Sequence, residues 1–189
     1  MRQNPARRTA LLDAAIEVLA KEGSRGLTLR AVDKEAGVPT GTTTNYFADR
    51  DALLRQIMAR TTERLTPDPE EMAETMKAEP DQRLNVTLLR QLVERMRGDR
   101  SSHMAMLELR LEATRRPGLQ EDLTRAFTEM LDSNIAWHLD AGLPGDRDTV
   151  LLLYLAMLGV IVDDLTVPGL LEPHGIDHII ETLVARSVA

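Results

Sequence analysis

LTLRAVDKEAGVPTGTTTNYFADRDAL, residues Leu27–Leu53, is the stretch that decides how the rest of the chain is read. Its spacing predicts two short helices joined by a tight turn. Thr28 is a natural N-cap, because a hydroxyl oxygen can accept from the first free amides of a helix. Leu29, Val32 and Ala36 then fall on one face of the helix that follows. Gly37 stops that helix, and Val38-Pro39 turns the chain. A second short helix is expected near Thr40–Tyr46, although Thr42, Thr43 and Thr44 are β-branched residues in a row. Each costs about 0.6 kcal/mol of helix propensity relative to alanine, roughly 2 kcal/mol together. Such a segment stays helical only where its hydroxyls are useful or packing compensates. Short hydroxyl and amide side chains beside a tyrosine, exposed after a turn, are what contacts to phosphates and base edges require. A polar loop between two structural helices fits the spacing equally well.

The stretch resembles the helix-turn-helix of the tetracycline-repressor (TetR) family, whose pattern runs Val-x-x-Gly-(Thr/Ser)-x-x-x-Tyr-Phe. Val38, Gly41, Thr42, Tyr46 and Phe47 stand at the matching places, and Leu53 follows as the apolar anchor of the next helix. Upstream, Thr9–Ala20, with Ala14, Ala15 and Ile16, is similar to the first helix of that family. The resemblance covers about the first 60 residues. It departs at Pro39 and Thr40, where the family often has Ser or Arg and then Lys, and at Thr44, where an aromatic residue is common. Base preference is therefore not carried over. The resemblance implies contacts to double-stranded DNA from Thr28, Arg30, Thr40, Gly41, Thr42, Thr43, Thr44, Asn45, Tyr46 and Arg50. Asn45 and the threonines are the candidates for base edges, and Tyr46, Arg30 and Arg50 those for phosphates. Phe47 is expected in the core.

Charge agrees with this division. The chain of 189 residues carries a formal net charge of −7, which by itself argues against a nucleic-acid partner. Residues 1–60 nevertheless hold 10 Lys/Arg against 7 Asp/Glu, a balance of +3, whereas residues 61–189 stand at −10. Arg7, Arg8, Arg30 and Arg50 can reach phosphates from the basic part. There is no cysteine, which excludes disulfides and thiolate metal sites and fits a cytoplasmic protein. MRQNPARR lacks the apolar core of a secretory signal. The longest apolar run, Val150–Val162, has 13 residues, short of the 18 or so that span a bilayer, so no membrane association is expected. It reads as a helix buried on most sides.

Enzymatic signatures are missing: no glycine-rich phosphate loop, no Gly-x-Ser-x-Gly and no cysteine nucleophile. His174 and His178, with Asp177 between them, have one-turn spacing for a metal, but they lie at a helix start beside Gly175, where such residues cap. Asp163 and Asp164 would face different ways on a helix, unlike a working acid–base pair. No enzyme activity, metal or cofactor is expected.

The remaining chain reads as all-α, about nine helices in total. Asn4-Pro5 opens the first, which presents Leu11, Leu12, Ala15, Ile16 and Leu19 and ends at Gly23. Asp49 caps a helix that fades near Leu65. Asp68, Pro69 and Glu71 open another, interrupted by Pro80 and resumed over Leu84–Met96. Ser101 or Ser102 opens the next; further helices run about Leu119–Asp140 and Asp148–Leu165. Ile176, Ile179, Ile180, Leu183 and Val184 give the last one a one-sided apolar stripe. This divides the chain into a DNA-binding domain over 1–60, with the helix-turn-helix at about 28–47, and a helical effector-binding and dimerisation domain over 66–189.

The family implies two further sites. A homodimer would form through the last two helices, with Ile161, Ile176, Ile179, Ile180 and Leu183 at the interface, placing two readers on a pseudo-palindromic operator. A small-molecule effector would bind between the central helices, near Met104, Leu107, Leu111, Phe127, Met130, Asn134 and Met157. Nine methionines and few aromatics suit an adaptable apolar cavity. The reading is a ligand-responsive dimeric regulator, a repressor released from its operator by a small apolar effector. The alternative is a helical small-molecule or protein-binding module that has lost its DNA affinity, to which Pro39, Thr44 and the acidity also point.

Overall fold

A computed structural model describes residues 4–188. Among them there are nine α-helices and no strand: α1 (Pro5–Gly26), α2 (Leu29–Glu35), α3 (Arg50–Leu65), α4 (Pro69–Thr75), α5 (Gln82–Gly98), α6 (Arg100–Ala113), α7 (Pro117–Asp140), α8 (Arg147–Thr166) and α9 (Ile176–Ser187). Two single 3-10 turns lie at Thr43–Asn45 and Pro168–Leu170. The all-α expectation holds, but the segment expected as a second reader helix is only the first of these turns. Three consecutive β-branched threonines do not sustain an α-helix here, and Gly41 precedes them at φ 92°, which only glycine adopts readily.

Local signals set most boundaries. Asn4 accepts from the amides of Ala6 and Arg7, Thr28 from Ala31, Asp49 from Ala52, and Asp68 from Glu70 and Glu71. Gly23 is left-handed at φ 68° and interrupts the last turn of α1. Asp99, not Ser101 or Ser102, caps α6, accepting from Ser102 at 3.1 Å.

The chain forms two compact units. The first joins the residues up to Thr66 with Asp99–Ala126, so α6 and the start of α7 belong with the first three helices. There α1 packs on α2, α3 and α6, and α3 also packs on α6. The core is Leu11, Ile16, Leu19, Val32, Phe47, Leu53, Leu54, Ile57 and Leu109, all essentially inaccessible. Ion pairs frame it: Asp13 accepts from Arg60 at 2.8 Å, and Asp99 accepts from both Nε and Nη2 of Arg64 at 2.8 Å. The division into 1–60 and 66–189 expected from the sequence assigns α6 to the second domain, whereas α6 packs on α1 and α3.

The second unit joins Pro67–Gly98 with the residues from Phe127 onward. In it α5, α8 and α9 pack on one another. Arg90 on α5 donates to Asp177 and Glu181 on α9, each at 2.6 Å, and Arg97 donates twice to Asp164 on α8 at 2.7 Å. The Arg90 pairs are largely exposed and contribute little, being screened by solvent, whereas Asp164 is mostly covered. Helix α8 is 20 residues long and apolar enough, by length and composition, to cross a bilayer. It is not buried on most sides as expected. Val150, Leu153, Met157, Ile161 and Leu165 form its buried stripe, whereas Leu152 and Leu155 on the opposite face are 58% and 53% exposed.

Candidate nucleic-acid interface

The turn between α2 and Tyr46 is organised by a buried carboxylate. Asp33, on α2, is 2% exposed, and its two oxygens accept from the backbone N–H of Gly41 at 2.6 Å, the N–H of Thr43 at 2.7 Å and the Thr43 hydroxyl at 2.5 Å. Burial alone would raise the Asp33 pKa, but the hydrogen bonds from Thr43 and Gly41 outweigh it and hold the group below its ordinary value. The carboxylate thus stays charged, and it ties the loop that follows Pro39 to the preceding helix. The sequence reading passed over Asp33. The available signal was an acidic residue beside Val32, on the inner side of a short amphipathic helix, where an unpaired charge would not be tolerated.

This tie sorts the residues expected to touch DNA. Thr43 is fully buried, so it supports the turn and does not reach a base edge. The Thr42 hydroxyl donates to the Pro39 carbonyl at 2.6 Å, and the Asn45 amide donates to the Gly41 carbonyl at 3.2 Å, both local braces. Thr28 is exposed, its oxygen engaged as the cap of α2. Arg30, Thr40, Gly41, Thr44 and Asn45 are exposed, and Tyr46 is half-buried. They form the outward side of the turn. Lys34, exposed on α2, is a further cation on the same element that the sequence reading did not name.

Arg50, expected at a phosphate, is half-buried and engaged by the end of α1. Its guanidinium donates to the carbonyls of Leu27 and Ser24 and, at 3.0 Å, to the Ser24 hydroxyl. These are carbonyls that the end of α1 leaves without helical partners. Arg8 is likewise held: it donates to Gln56 at 2.9 and 2.6 Å, with its guanidinium 5.2 Å from the centre of the Phe47 ring. Replacing Arg50 with alanine is expected to lower stability by about 1–2 kcal/mol. The slope of log affinity against log salt should stay unchanged in that variant. A slope shallower by about 0.9 would show that Arg50 does bind a phosphate.

The end of α1 is also fixed from α6. Ser24 donates its N–H to Glu108 at 3.1 Å and its hydroxyl to Glu112 at 2.6 Å. The Ser24 hydroxyl and Arg116 hold the Glu112 carboxyl below the usual carboxylate range.

The residues expected around an effector are dispersed in exposure. Met157 is buried, Met104, Leu107, Phe127 and Met130 are half-buried, and Leu111 and Asn134 are exposed. None of the seven lines the cavity of about 350 Å³ that the second unit holds between α5, α8, the Pro168–Leu170 turn and α9. Next to Met104, His103 is buried and its Nε2 finds no hydrogen-bond partner among the described residues. Burial, with the nearby Arg110, lowers its pKa, so the ring is neutral. Of the interface expectations, Ile161 and Ile180 are buried within their own chain, while Ile176, Ile179 and Leu183 are half-buried. On α8 the exposed large apolar side chains are Leu151, Leu152 and Leu155; elsewhere Leu111, Trp137, Leu139, Val167 and Leu170 are exposed too. His174 and His178 are exposed, and Asp177 is taken by Arg90.

Comparison with known proteins bears on both units. Residues 11–57 match the family model described as bacterial regulatory proteins, tetR family, and residues 80–189 match that of the tetracyclin repressor-like C-terminal domain. Among curated proteins, the HTH-type transcriptional regulator BetI of Paraburkholderia phytofirmans is 30% identical over 82 residues, 43% of this chain and 42% of that one. BetI of Klebsiella pneumoniae is 34% identical over 61 residues, 32% of this chain and 31% of that one. The chain therefore spans well under half the length of these curated relatives. Solved structures match nearly throughout. SCO1917 of Streptomyces coelicolor A3, a member of the TetR family, has a TM-score of 0.68 at 30% identity, covering 98% of this chain and 99% of its own. The multidrug binding protein EbrR, complexed with imidazole, has a TM-score of 0.67 at 27% identity over 98% and 97%.

Proposed function

Because the chain belongs to the TetR family of bacterial regulatory proteins, we propose that it is a DNA-binding transcriptional regulator that responds to a small molecule. The observation that carries this reading is the turn fixed by Asp33, in which Thr40, Thr44 and Asn45 are exposed and Tyr46 half-buried, with Arg30 exposed on the preceding helix. Exposed hydroxyls and an amide suit base edges, and Arg30, with the Tyr46 hydroxyl, suits the phosphates beside them. The protein acts as a homodimer and a repressor: two such surfaces meet the half-sites of a pseudo-palindrome, and an effector that prefers the other conformation releases them. The similar multidrug binding protein EbrR, complexed with imidazole and with ethidium, supports a small-molecule ligand. So does the unpartnered Nε2 of His103, which offers a polar contact beside Met104 and Leu107.

Selection of bound duplexes from a random pool, followed by a salt titration on the winner, tests the reading. A pseudo-palindrome whose affinity falls steeply with salt is expected. No enrichment by folded, ligand-stripped protein would favour a binding module without DNA affinity. Within the reader, Tyr46→Ala is expected to weaken the selected duplex on the order of tenfold, the loss of one phosphate contact and its packing. Helical content and oligomeric state should not change, and unaltered affinity would remove Tyr46 from the surface.

A further inference from the structure

Where α3 begins and α6 gives way to α7, the first unit holds a cleft of about 270 Å³. Its walls carry Arg55, Arg115 and Arg116 against a single lining carboxylate, Asp51, and its floor includes Leu54 and Leu119. An excess of positive charge in a concave site is unusual for a chain with a net charge of −7. The three guanidinium groups are not equally committed. Arg116 donates to Glu112 at 2.6 Å and to Asp51 at 2.5 Å. Arg115 lies 4.0 Å from Glu112, too far for a hydrogen bond, and makes only a long bond, 3.5 Å, to the Leu111 carbonyl. The Arg55 guanidinium has no ion pair or hydrogen bond among the described residues. Gly118, at the start of α7, also lines the cleft and has open space where a side chain would be.

We infer that this cleft binds a small anion through a phosphate or carboxylate group. Arg55 and Arg115 grip the anionic group, and Arg116 is shared between it and Asp51. The volume of about 270 Å³ suits a small anion rather than a strand of DNA. None of the seven residues expected around the apolar effector lines this cleft. Its consequence is regulatory: Asp51 lies in the first turn of α3, next to Arg50, which holds the end of α1. An anion that draws Arg116 away from Asp51 alters the anchoring of the element directly behind the reader.

The test is calorimetric titration of the full chain with inorganic pyrophosphate at constant ionic strength. Saturable binding of one anion per chain is expected, weakened at least tenfold by the double variant Arg55→Gln, Arg115→Gln, and abolished by Arg55→Glu. A control double variant, Arg125→Gln with Arg147→Gln, removes the same charge elsewhere and should leave the affinity within twofold. Arg55 and Arg115 are exposed, and circular dichroism should show each variant folded. Heat that follows ionic strength alone, or equal losses in the control, would overturn the site. So would a double variant that binds duplex less tightly while the wild type shows no saturable pyrophosphate binding, since the arginines would then be backbone contacts.

Discussion

Asp33→Ala is expected to abolish duplex binding and to destabilise the first unit by about 3 kcal/mol. The substitution leaves two backbone amides and a buried hydroxyl without an acceptor, and hydrogen bonds to a charged group contribute about 1.5–3 kcal/mol each, less than additively when they share one carboxylate. The turn from Pro39 to Tyr46 has no helical hydrogen-bond ladder of its own, only the single 3-10 turn at Thr43–Asn45. Without Asp33 the reader therefore disorders before the core does. Asp33→Asn should fall between the two, because its amide NH₂ faces donors. Thermal melts followed by circular dichroism, with duplex binding at 25 °C, check this. Tight binding by Asp33→Ala would mean that the carboxylate does not order the reader. The same group implies a pH dependence. A carboxylate whose folded pKa lies below its ordinary value of 3.8 contributes stability that is present above that value. The contribution is lost as pH falls through the lowered folded value. Wild-type melting temperature should accordingly drop in acid more steeply than that of Asp33→Asn.

Leu152→Glu with Leu155→Glu is expected to give a folded monomer that binds the selected duplex at least on the order of a hundredfold more weakly. The second half-site would no longer be met at the high effective concentration that a dimer supplies. Both side chains are more than half exposed, so placing glutamates there costs little within the chain, whereas at a two-fold interface each would face desolvation and a like charge. Sedimentation at micromolar protein separates the outcomes. A stable dimer in this variant would place the interface away from the exposed face of α8. Glutamate at Ile161 or Ile180 would not make the same distinction, since those side chains are buried in their own chain and the second unit would unfold.

What the sequence determined by itself was whatever depends on residues a few places apart. Caps at Asn4, Thr28, Asp49 and Asp68 act over two or three residues, and the helix stops at Gly23 and Gly37 act through a single backbone conformation. From these, with the apolar periodicities, the all-α fold, most helix starts and the location of the reader could be read directly. The three threonines already announced that the second reader helix would be weak, and in the structure it is a single turn.

Tertiary structure alone decided which of the named side chains are available. Asp33 reaches eight and ten residues along the chain to Gly41 and Thr43, and that tie puts Thr43 inside and Thr44 outside. Arg50 reaches back 23 and 26 residues to the end of α1, an engagement that its place beside the helix-turn-helix does not announce. The membership of α6 in the first unit rests on packing and on hydrogen bonds such as Ser24–Glu108, 84 residues apart. Helix α8 shows the same limit. Its sequence is apolar nearly all round, and only its packing partners select the Val150–Leu165 stripe for the chain's own core. The opposite stripe is left for another surface. Hydrophobicity is a property of each residue, but burial is a property of what the fold brings against it.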